Sequence, residues 1–461
     1  MYGLLSRRAP ASLAVRSTWG RKQGHACFRS LNTFKSGPTP QSSQESSRKF
    51  SLPSRLQRQN VATSRPLQNT VSWDVEEQEI NVQFYGSSSK VCHFPYLWLR
   101  DHCLCSECTH PDTKQRQINT FEIPQDISVS SVEPSDNGLL VQWTDDPHQS
   151  FYPWHWLQEN SPISNQVSIH RKWHHIKPSP DHKNYPTTSY EDIIHSTQGL
   201  ALWLSQIRTY GFACVSGVPP TPEDTDKLLN RIAFIRLTHY GGFWDFTSQP
   251  KPTDTAYTNL GLPNHTDSTY FTDPCGLQMF HVLQPATGGG GESTLVDGFA
   301  AAEYLYYSES AAYHSLATTP IISHASGNEA VGIIDNTAAS SLGYPVFNHD
   351  PSASSPLERP SPESLTQIRW NNDDRHSRTK WPRRKAMDEW YNAARKWNEI
   401  LTLPEFEIEI QLQPGMPVIF DNQRILHGRR AFEGERRVCG GYIGMDDFLA
   451  RLRSVTQRTI V

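Results

Sequence analysis

The chain has 461 residues, of which 36% are hydrophobic and 20% charged, and its formal net charge is −4. This length can bury one large core and a smaller one, and the composition is typical of a globular enzyme. The charge and the lack of a basic reading helix argue against nucleic acid as a partner, and no apolar run reaches the roughly 18–20 residues of a membrane-spanning helix, so no membrane partner is expected.

The N-terminal segment has the composition of a mitochondrial transit peptide. Residues 1–44 contain no Asp or Glu, while seven Arg and Lys residues are scattered among Ser, Ala and Leu. The continuous apolar core of a secretory signal is missing. We therefore predict a transit peptide and disordered linker at 1–70 and a location in the mitochondrial matrix. A basic disordered tail on a cytoplasmic protein is the alternative.

A first compact unit, with strands at its start, is predicted at residues 71–176. Cys103, Cys105 and Cys108 lie within six residues of one another, which is typical of a metal site and not of a spread disulfide framework. Zn²⁺ prefers four tetrahedral ligands with thiolates among them, so a fourth ligand has to come from elsewhere. Free buried thiols are the alternative. The candidate fourth ligands are His102, His110, His148 and His155.

The main domain is predicted at residues 190–461, after a Pro-rich linker at 177–189. Residues 191–211 have helical spacing and 212–218 form a buried strand, and from residue 276 short apolar runs alternate with turn residues. Evenly spaced short strands of this kind predict a barrel or jelly roll. The Ser- and Pro-rich segment 349–363 predicts an exposed insertion. Four glycines at 288–291 predict a turn between strands, because no Gly-Lys-Ser/Thr follows them.

His265 and Asp267 are candidate metal ligands. Side chains two residues apart in an extended segment point to the same side, although such a pair is common by chance. His427, which follows an apolar strand, supplies a third ligand. Two His and one carboxylate leave three positions open, as in non-haem Fe(II) oxygenases.

Arg436 is a candidate anchor for a chelating cosubstrate. It follows His427 at the start of the next predicted strand. A planar guanidinium binds a carboxylate through two hydrogen bonds, which suits the distal carboxylate of 2-oxoglutarate. Taken alone, Arg436 is better explained as a surface charge, and Arg437 competes for the same role.

Long stretches of the main domain resemble one enzyme family. Residues 243–281, "STLVDGF", "IRWNNDDR" and "RILHGRR" closely resemble the γ-butyrobetaine/trimethyllysine dioxygenase family of Fe(II)/2-oxoglutarate-dependent oxygenases. The resemblance covers about residues 72–461 without the 349–363 insertion. It implies a double-stranded β-helix (jelly-roll) oxygenase domain, mainly β with flanking helices, preceded by a small zinc-binding β domain. It also implies ascorbate as the reductant.

The resemblance implies roles for individual residues at the metal sites. His265, Asp267 and His427 would hold Fe(II), and His148 would complete the zinc shell. Arg436 and Ser293 would contact the far carboxylate of 2-oxoglutarate. Thr294 and Arg437 are alternatives one position along, and Arg436 is preferred because it precedes Tyr442 by the six residues that the family pattern requires.

The resemblance also implies how a substrate is held. A trimethylammonium group cannot donate hydrogen bonds and is held by aromatic faces, at ~0.5–2 kcal/mol per ring. Asp254 could pair with an α-ammonium group, which trimethyllysine has and γ-butyrobetaine lacks; the γ-butyrobetaine enzymes look like Asn at this place. The implied cage residues, which could otherwise be core, are Tyr240, Trp244, Tyr257 and Tyr442.

The expected reaction is hydroxylation of N6,N6,N6-trimethyl-L-lysine at C3, the first step of carnitine biosynthesis. O₂ and 2-oxoglutarate would be consumed, and succinate and CO₂ formed. γ-Butyrobetaine hydroxylation is one alternative, and a non-catalytic reader of trimethyllysine is a less favoured one. The expected partner is a small-molecule substrate; relatives suggest a homodimer, but no interface signature is visible.

Overall fold

The computed structural model describes residues 69–85, 91–144, 146–161, 185–248, 258–325, 342–351 and 359–457. The chain divides into two compact units, Met1–Ser161 and Pro162–Val461. Among the described residues no helix is long and apolar enough to cross a membrane. The predicted transit segment falls outside the described residues, apart from its last two positions.

The described part of the first unit contains two antiparallel sheets of three strands each. Side chains alternate along the strands: in the second strand Ile80 and Val82 are fully buried, and they join an apolar core that includes Val141 and Tyr152 of the other sheet. The elements are β1 (Thr70–Asp74), β2 (Glu79–Gln83), β3 (Cys92–Pro95), α1 (Tyr96–Asp101), β4 (Val129–Pro134), β5 (Gly138–Trp143), β6 (Gln149–Pro153) and α2 (Trp154–Glu159).

The second unit contains twelve described strands. They are β7 (Thr187–Ser189), β8 (Phe212–Ser216), β9 (Trp244–Thr247), β10 (Leu262–His265), β11 (Leu277–Gln284), β12 (Ser293–Asp297), β13 (Phe347–His349), β14 (Leu365–Ile368), β15 (Glu407–Ile410), β16 (Val418–Asp421), β17 (Ile425–Arg429) and β18 (Arg437–Ile443). The larger sheet has the order β7-β8-β16-β11-β18-β9 and the smaller β10-β17-β12-β15, while β13 and β14 pair separately. All pairings are antiparallel except β7 with β8.

The alternation of side chains along β11 shows how the two main sheets pack. Leu277 and Met279 face a core formed with helices on the outside of the larger sheet. Phe280 and Val282 face the opposite way, into a core that includes Leu295 of β12 on the smaller sheet. Two antiparallel sheets therefore face each other and helices cover them. The predicted jelly roll with flanking helices is confirmed.

The helices of the second unit are α3 (Tyr190–His195), α4 (Thr197–Tyr210), α5 (Pro222–Ile232), α6 (Gly298–Ser308), α7 (Ser310–Thr318), α8 (Arg384–Leu401) and α9 (Met445–Gln457). The predicted single helix at 191–211 is two helices. Ser196 has an extended backbone, and its hydroxyl accepts a hydrogen bond from the Gly199 backbone N–H, which starts α4 anew.

Two segments predicted to be irregular contribute to the packed fold at their ends. The last three residues of the predicted linker 177–189 form β7, which pairs with β8 and is the edge strand of the larger sheet. In the predicted insertion 349–363, His349 ends β13 and bonds to the Tyr313 hydroxyl at 2.7 Å, and Pro362 is buried. Residues 352–358 of that insertion lie outside the described residues.

His281 on β11 makes the stability of the fold depend on pH. Its Nε2 accepts a hydrogen bond from the Gly415 backbone N–H at 3.0 Å, so Nδ1 carries the proton and donates to Thr225 Oγ1 at 2.7 Å. Burial lowers the pKa of His281 to about 4, below its ordinary value of about 6.5. The stability contributed by the neutral ring is therefore complete above about pH 6.5 and is lost as the pH falls toward the folded-state pKa.

We expect the free energy of unfolding to decrease between about pH 7 and about pH 5, because protonated His281 would direct an N–H at the Gly415 N–H. The His281→Gln variant keeps an acceptor but does not titrate, so its decrease should be smaller. Urea unfolding at the two pH values measures both slopes. Equal slopes in the two proteins would remove His281 as the cause.

Candidate active site

Three of the predicted metal ligands lie together at one edge of the smaller sheet. β10 and β17 are antiparallel neighbours, and His265 and His427 stand directly opposite each other with ring centroids 4.4 Å apart. Asp267, two residues past His265, places Oδ1 at 3.2 Å from His265 Nε2 and 3.8 Å from His427 Nε2. One ligand atom from each residue lies within 4.8 Å of the others, so a single metal ion fits between them.

Hydrogen bonds orient two of these ligands. His265 Nδ1 lies 2.8 Å from the Pro263 carbonyl oxygen, which can only accept, so Nδ1 holds the proton and Nε2 presents its lone pair to the site. Asp267 Oδ2 accepts hydrogen bonds from Gln278 Nε2 and the Tyr442 hydroxyl, each at 2.7 Å. Oδ1 is left facing the two histidines. This donor set matches the two-histidine, one-carboxylate arrangement of non-haem iron sites.

The electrostatics keep Asp267 and His427 in the protonation states that a metal needs. Burial would lower the pKa of His265, but the Asp267 carboxylate outweighs it and raises that pKa, so a metal ion competes with a proton for this ring. Burial, reinforced by neighbouring His265, lowers the pKa of His427 to about 3, so this ring is neutral. Burial alone would raise the pKa of Asp267, but His427, His265 and the Tyr442 hydroxyl outweigh it and hold that pKa below its usual range. A neutral imidazole and an ionised carboxylate are the forms that bind metal ions.

Asn422 holds the backbone of Asp267 and was not identified from the sequence. It lies in the turn between β16 and β17. Its Oδ1 accepts from the Asp267 N–H at 2.8 Å, and its Nδ2 donates to the Asp267 carbonyl at 3.1 Å and the Cys275 carbonyl at 3.0 Å. The sequence signal was an amide directly after the apolar run "VIFD", but only the fold brings it to Asp267.

A cavity of about 200 Å³ opens beside the three metal-ligand candidates, and Arg436 and Ser293 line it. Arg436 is 7% exposed, and burial, together with nearby Arg429, lowers its pKa to about 10. No carboxylate among the described residues pairs with Arg436. A buried cation without an acidic partner is a favourable site for an anion.

The alternatives one residue along do not line this cavity. The Arg437 side chain is 43% exposed and forms two hydrogen bonds with the Asp245 carboxylate, at 2.9 and 2.5 Å. Thr294 donates to Asn264 Oδ1 at 2.7 Å. Of each pair of alternatives, Ser293 and Arg436 are therefore the residues that line the cavity.

Three of the predicted cage residues line the same cavity. The rings of Trp244 and Tyr442 meet edge to face with centroids 6.3 Å apart. The Tyr240 hydroxyl lies 3.3 Å from the hydroxyl of Tyr270, an aromatic lining residue that the sequence analysis missed. The other two predicted substrate residues, Asp254 and Tyr257, lie outside the described residues.

Other lining residues come from the motif "IRWNNDDR", which carried the resemblance but received no role. Asp374 accepts from the Thr269 hydroxyl at 2.6 Å. Carboxylate and amide groups at one wall suit a ligand that carries positive charge and hydrogen-bond donors. The four polar lining residues of this motif are Asn371, Asn372, Asp373 and Asp374.

In the first unit, the three predicted thiol ligands and His148 form a second cluster. The Sγ atoms of Cys103, Cys105 and Cys108 lie 3.1, 3.4 and 3.5 Å from His148 Nε2. Burial raises the pKa of the Cys108 thiol to about 12, so this thiol is protonated unless a cation displaces its proton.

Two charged side chains lie beside this cluster. The other candidate histidines are not part of it. Arg100 donates to Cys108 Sγ at 3.4 Å, and Glu107 Oε2 lies 3.6 Å from His148 Nδ1. His102 bonds to the Trp98 carbonyl, and His110 bonds within its own turn. Neither they nor His155 belong to a group of possible metal ligands among the described residues.

Comparisons with known proteins place the chain in a family. Residues 176–442 match the family described as taurine catabolism dioxygenase TauD, TfdA family, and residues 71–158 match the one described as gamma-butyrobetaine hydroxylase-like, N-terminal. The chain is 41% identical over 399 residues to a trimethyllysine dioxygenase of Neurospora crassa, covering 78% of this chain and 80% of the relative.

Two further relatives are similar to this chain. The mitochondrial trimethyllysine dioxygenase of Homo sapiens is 33% identical over 392 residues, covering 83% of this chain and 87% of the relative. A gamma-butyrobetaine dioxygenase of Pseudomonas sp. is 31% identical over 378 residues, covering 79% and 91%.

Proposed function

The chain belongs to the taurine catabolism dioxygenase TauD, TfdA family, and we propose that within it the chain hydroxylates N6,N6,N6-trimethyl-L-lysine at C3. O₂ and 2-oxoglutarate are the cosubstrates, and succinate and CO₂ are the coproducts. One observation carries the proposal: a two-histidine, one-carboxylate cluster, a buried arginine with no acidic partner among the described residues, and an aromatic wall line one cavity. Relatives named trimethyllysine dioxygenase, similar across most of the chain, support the choice of substrate.

His265, Asp267 and His427 would hold Fe(II), because their ligand atoms converge. When bound, iron and 2-oxoglutarate supply the activation of O₂ that breaks an unactivated C–H bond. Arg436 would bind the far carboxylate of 2-oxoglutarate through its guanidinium fork, and the Ser293 hydroxyl would donate to the same group. These contacts fix the cosubstrate beside the metal ligands.

The substrate would be held at both ends. The faces of Tyr240, Trp244 and Tyr442 suit the trimethylammonium group, with Tyr257 as a fourth cage residue implied by the family resemblance. Asp254 is proposed to pair with the α-ammonium group on the same grounds. Two fixed ends set which carbon lies at the metal, and a misplacement of ~1 Å can cost on the order of 100-fold in rate.

The proposal is tested by succinate release from purified protein supplied with Fe(II), ascorbate as reductant and 2-oxoglutarate. We expect release to depend on free trimethyllysine and to be much weaker with γ-butyrobetaine or a trimethylated peptide. Preference for γ-butyrobetaine would assign the sister activity. Binding of trimethyllysine without any succinate would indicate a non-catalytic reader.

We propose a mitochondrial matrix location and a role in carnitine biosynthesis on weaker grounds. Residues 1–44 lack acidic residues, and the human relative is named mitochondrial. Hydroxylated trimethyllysine would be the product of the first step of that pathway. A homodimer is implied only by the family resemblance.

We propose that Cys103, Cys105, Cys108 and His148 bind one zinc ion. Three thiolates and one imidazole complete a tetrahedral shell. A shell closed by four protein ligands has no position for a substrate. The zinc is therefore structural, and it stabilises a unit with a small core.

The Cys105→Ser variant is expected to lose about one zinc ion per chain, because Ser is a poor zinc ligand and three ligands remain. Metal analysis of the purified variant measures the loss, and iron content serves as the internal control. Cys214→Ser, a buried thiol in β8, is the matched control variant and should keep its zinc. Zinc retained in Cys105→Ser would contradict the assignment.

A further inference from the structure

Gln278 is a polar residue in the middle of an apolar strand. It is 2% exposed on β11, on the face that lines the cavity, while its neighbours Leu277 and Met279 pack into the apolar core on the other face. Burying an amide costs free energy unless both its donor and its acceptor find partners. Gln278 therefore needs a reason to be polar.

Only half of the Gln278 amide is satisfied. Nε2 donates to Asp267 Oδ2 at 2.7 Å, but Oε1 is buried and has no hydrogen-bond partner among the described residues. An unsatisfied buried acceptor destabilises the folded state. An apolar side chain of the same length would avoid this penalty. The bond to Asp267 is thus the one described interaction that favours an amide here. This bond orients a metal-ligand candidate and does not offset the cost of the unsatisfied acceptor to the fold.

The bond from Gln278 completes a pair of donors on one carboxylate oxygen. The Tyr442 hydroxyl, from neighbouring β18, donates to the same Asp267 Oδ2 at 2.7 Å. With two donors on Oδ2, Oδ1 is left to face His265 and His427. Without Gln278, one donor remains and the carboxylate gains freedom to rotate about its last side-chain bond.

We propose that Gln278 is a positioning residue that, with the Tyr442 hydroxyl, holds Asp267 with Oδ1 toward the metal. The inference deepens the proposed function and rests on its metal assignment. Hydrogen-bond partners that orient a ligand typically change metal affinity by about 10–100-fold when removed. A loss of this size is expected here.

The test compares Gln278→Met with Gln284→Met. Methionine matches the length of glutamine but cannot donate, and Gln284 lies exposed at the end of the same strand. Mn²⁺ binding to the metal-free proteins is measured by equilibrium dialysis. We expect the Kd of Gln278→Met to rise about 10–100-fold, with an unfolding temperature equal to or above that of the parent, and Gln284→Met to bind like the parent.

A second variant and a spectrum separate orientation from general damage. Tyr442→Phe removes the other donor and should also weaken Mn²⁺ binding. The visible absorption of bound Co²⁺ reports the ligand arrangement, and it should change in both variants but not in Gln284→Met.

The possible outcomes distinguish the metal assignment from the positioning role of Gln278. If the parent binds no Mn²⁺, the metal assignment itself fails. If the parent and Gln278→Met bind alike with the same Co²⁺ spectrum, the metal assignment stands and the positioning role is overturned. A lower unfolding temperature of metal-free Gln278→Met would make Gln278 a structural residue and also overturn the proposal.

Discussion

The His265→Ala variant is expected to lose succinate formation almost completely, by on the order of 1000-fold or more. The metal is worth several kcal/mol of transition-state stabilisation, and each 1.36 kcal/mol is about a tenfold change in rate. His265 Nε2 has no substitute among the described residues, since the cluster contains only Asp267 and His427 besides it. The measurement is trimethyllysine-dependent succinate release at saturating Fe(II).

The fold should survive this change. The removed ring belongs to a cluster of polar groups, so its loss leaves the apolar cores of the two sheets intact. His195→Ala is the matched control, because that histidine is exposed on α3. We expect the control to keep the parent rate and both variants to unfold at similar temperatures. Undiminished turnover in His265→Ala would remove the iron assignment.

The second large effect is expected at Arg436. Removing one partner of a buried charge interaction costs ~2–5 kcal/mol, which corresponds to a KM for 2-oxoglutarate raised by roughly 30-fold to several thousand-fold. Arg436→Gln should show this rise, because the guanidinium is buried in the cavity and has no acidic partner among the described residues. Arg436→Lys should recover only part of the loss, since an ammonium cannot form the two-point contact.

Arg437→Gln is the control that the structure provides. The Arg437 side chain is exposed and paired with Asp245, outside the cavity, so its loss should leave the KM for 2-oxoglutarate nearly unchanged. Steady-state kinetics at varied 2-oxoglutarate compare the variants. A large rise in the KM for 2-oxoglutarate in Arg437→Gln, with a small one in Arg436→Gln, would refute the assignment of Arg436 and favour its neighbour.

The metal ligands were accessible to sequence reasoning because their geometry is local. His265 and Asp267 are two residues apart in an extended segment, which places them on one side of the chain. His427 follows the apolar pair Ile425–Leu426, but the structure places it in the middle of β17 and not after a strand, as the sequence had predicted. The structure adds the long-range fact that β10 and β17 are neighbours, which brings the histidines opposite each other.

The residues that support the site were not accessible in this way. Gln278 and Asn422 contact Asp267 only in the folded chain. The contacts depend on the pairing of β11 with both β16 and β18, and on the β16–β17 turn, which reaches the Asp267 backbone. Nothing in "GLQMF" or "FDNQ" reports such pairings. His148 had three rivals for the same reason: the Cys segment and the β5–β6 connection meet only in the folded unit.

Two secondary-structure predictions differ from the fold for local reasons. The apolar spacing of 191–211 is continuous, but Ser196 caps a second helix with its hydroxyl, a signal that periodicity does not contain. Thr187–Ser189 were assigned to a linker by their Pro- and polar-rich neighbours, yet they form the edge strand of the larger sheet. Short edge strands give only a weak signal in the sequence, because pairing with one neighbouring strand stabilises them.

The most direct test of the proposed reaction follows the oxygen atoms. Purified protein with Fe(II), ascorbate, 2-oxoglutarate and trimethyllysine is supplied with isotopically labelled O₂, and the products are analysed by mass spectrometry and NMR. We expect one labelled oxygen at C3 of trimethyllysine, one in succinate, and equal amounts of both products. Succinate formed without hydroxylated trimethyllysine, or a hydroxyl at another carbon, would contradict it.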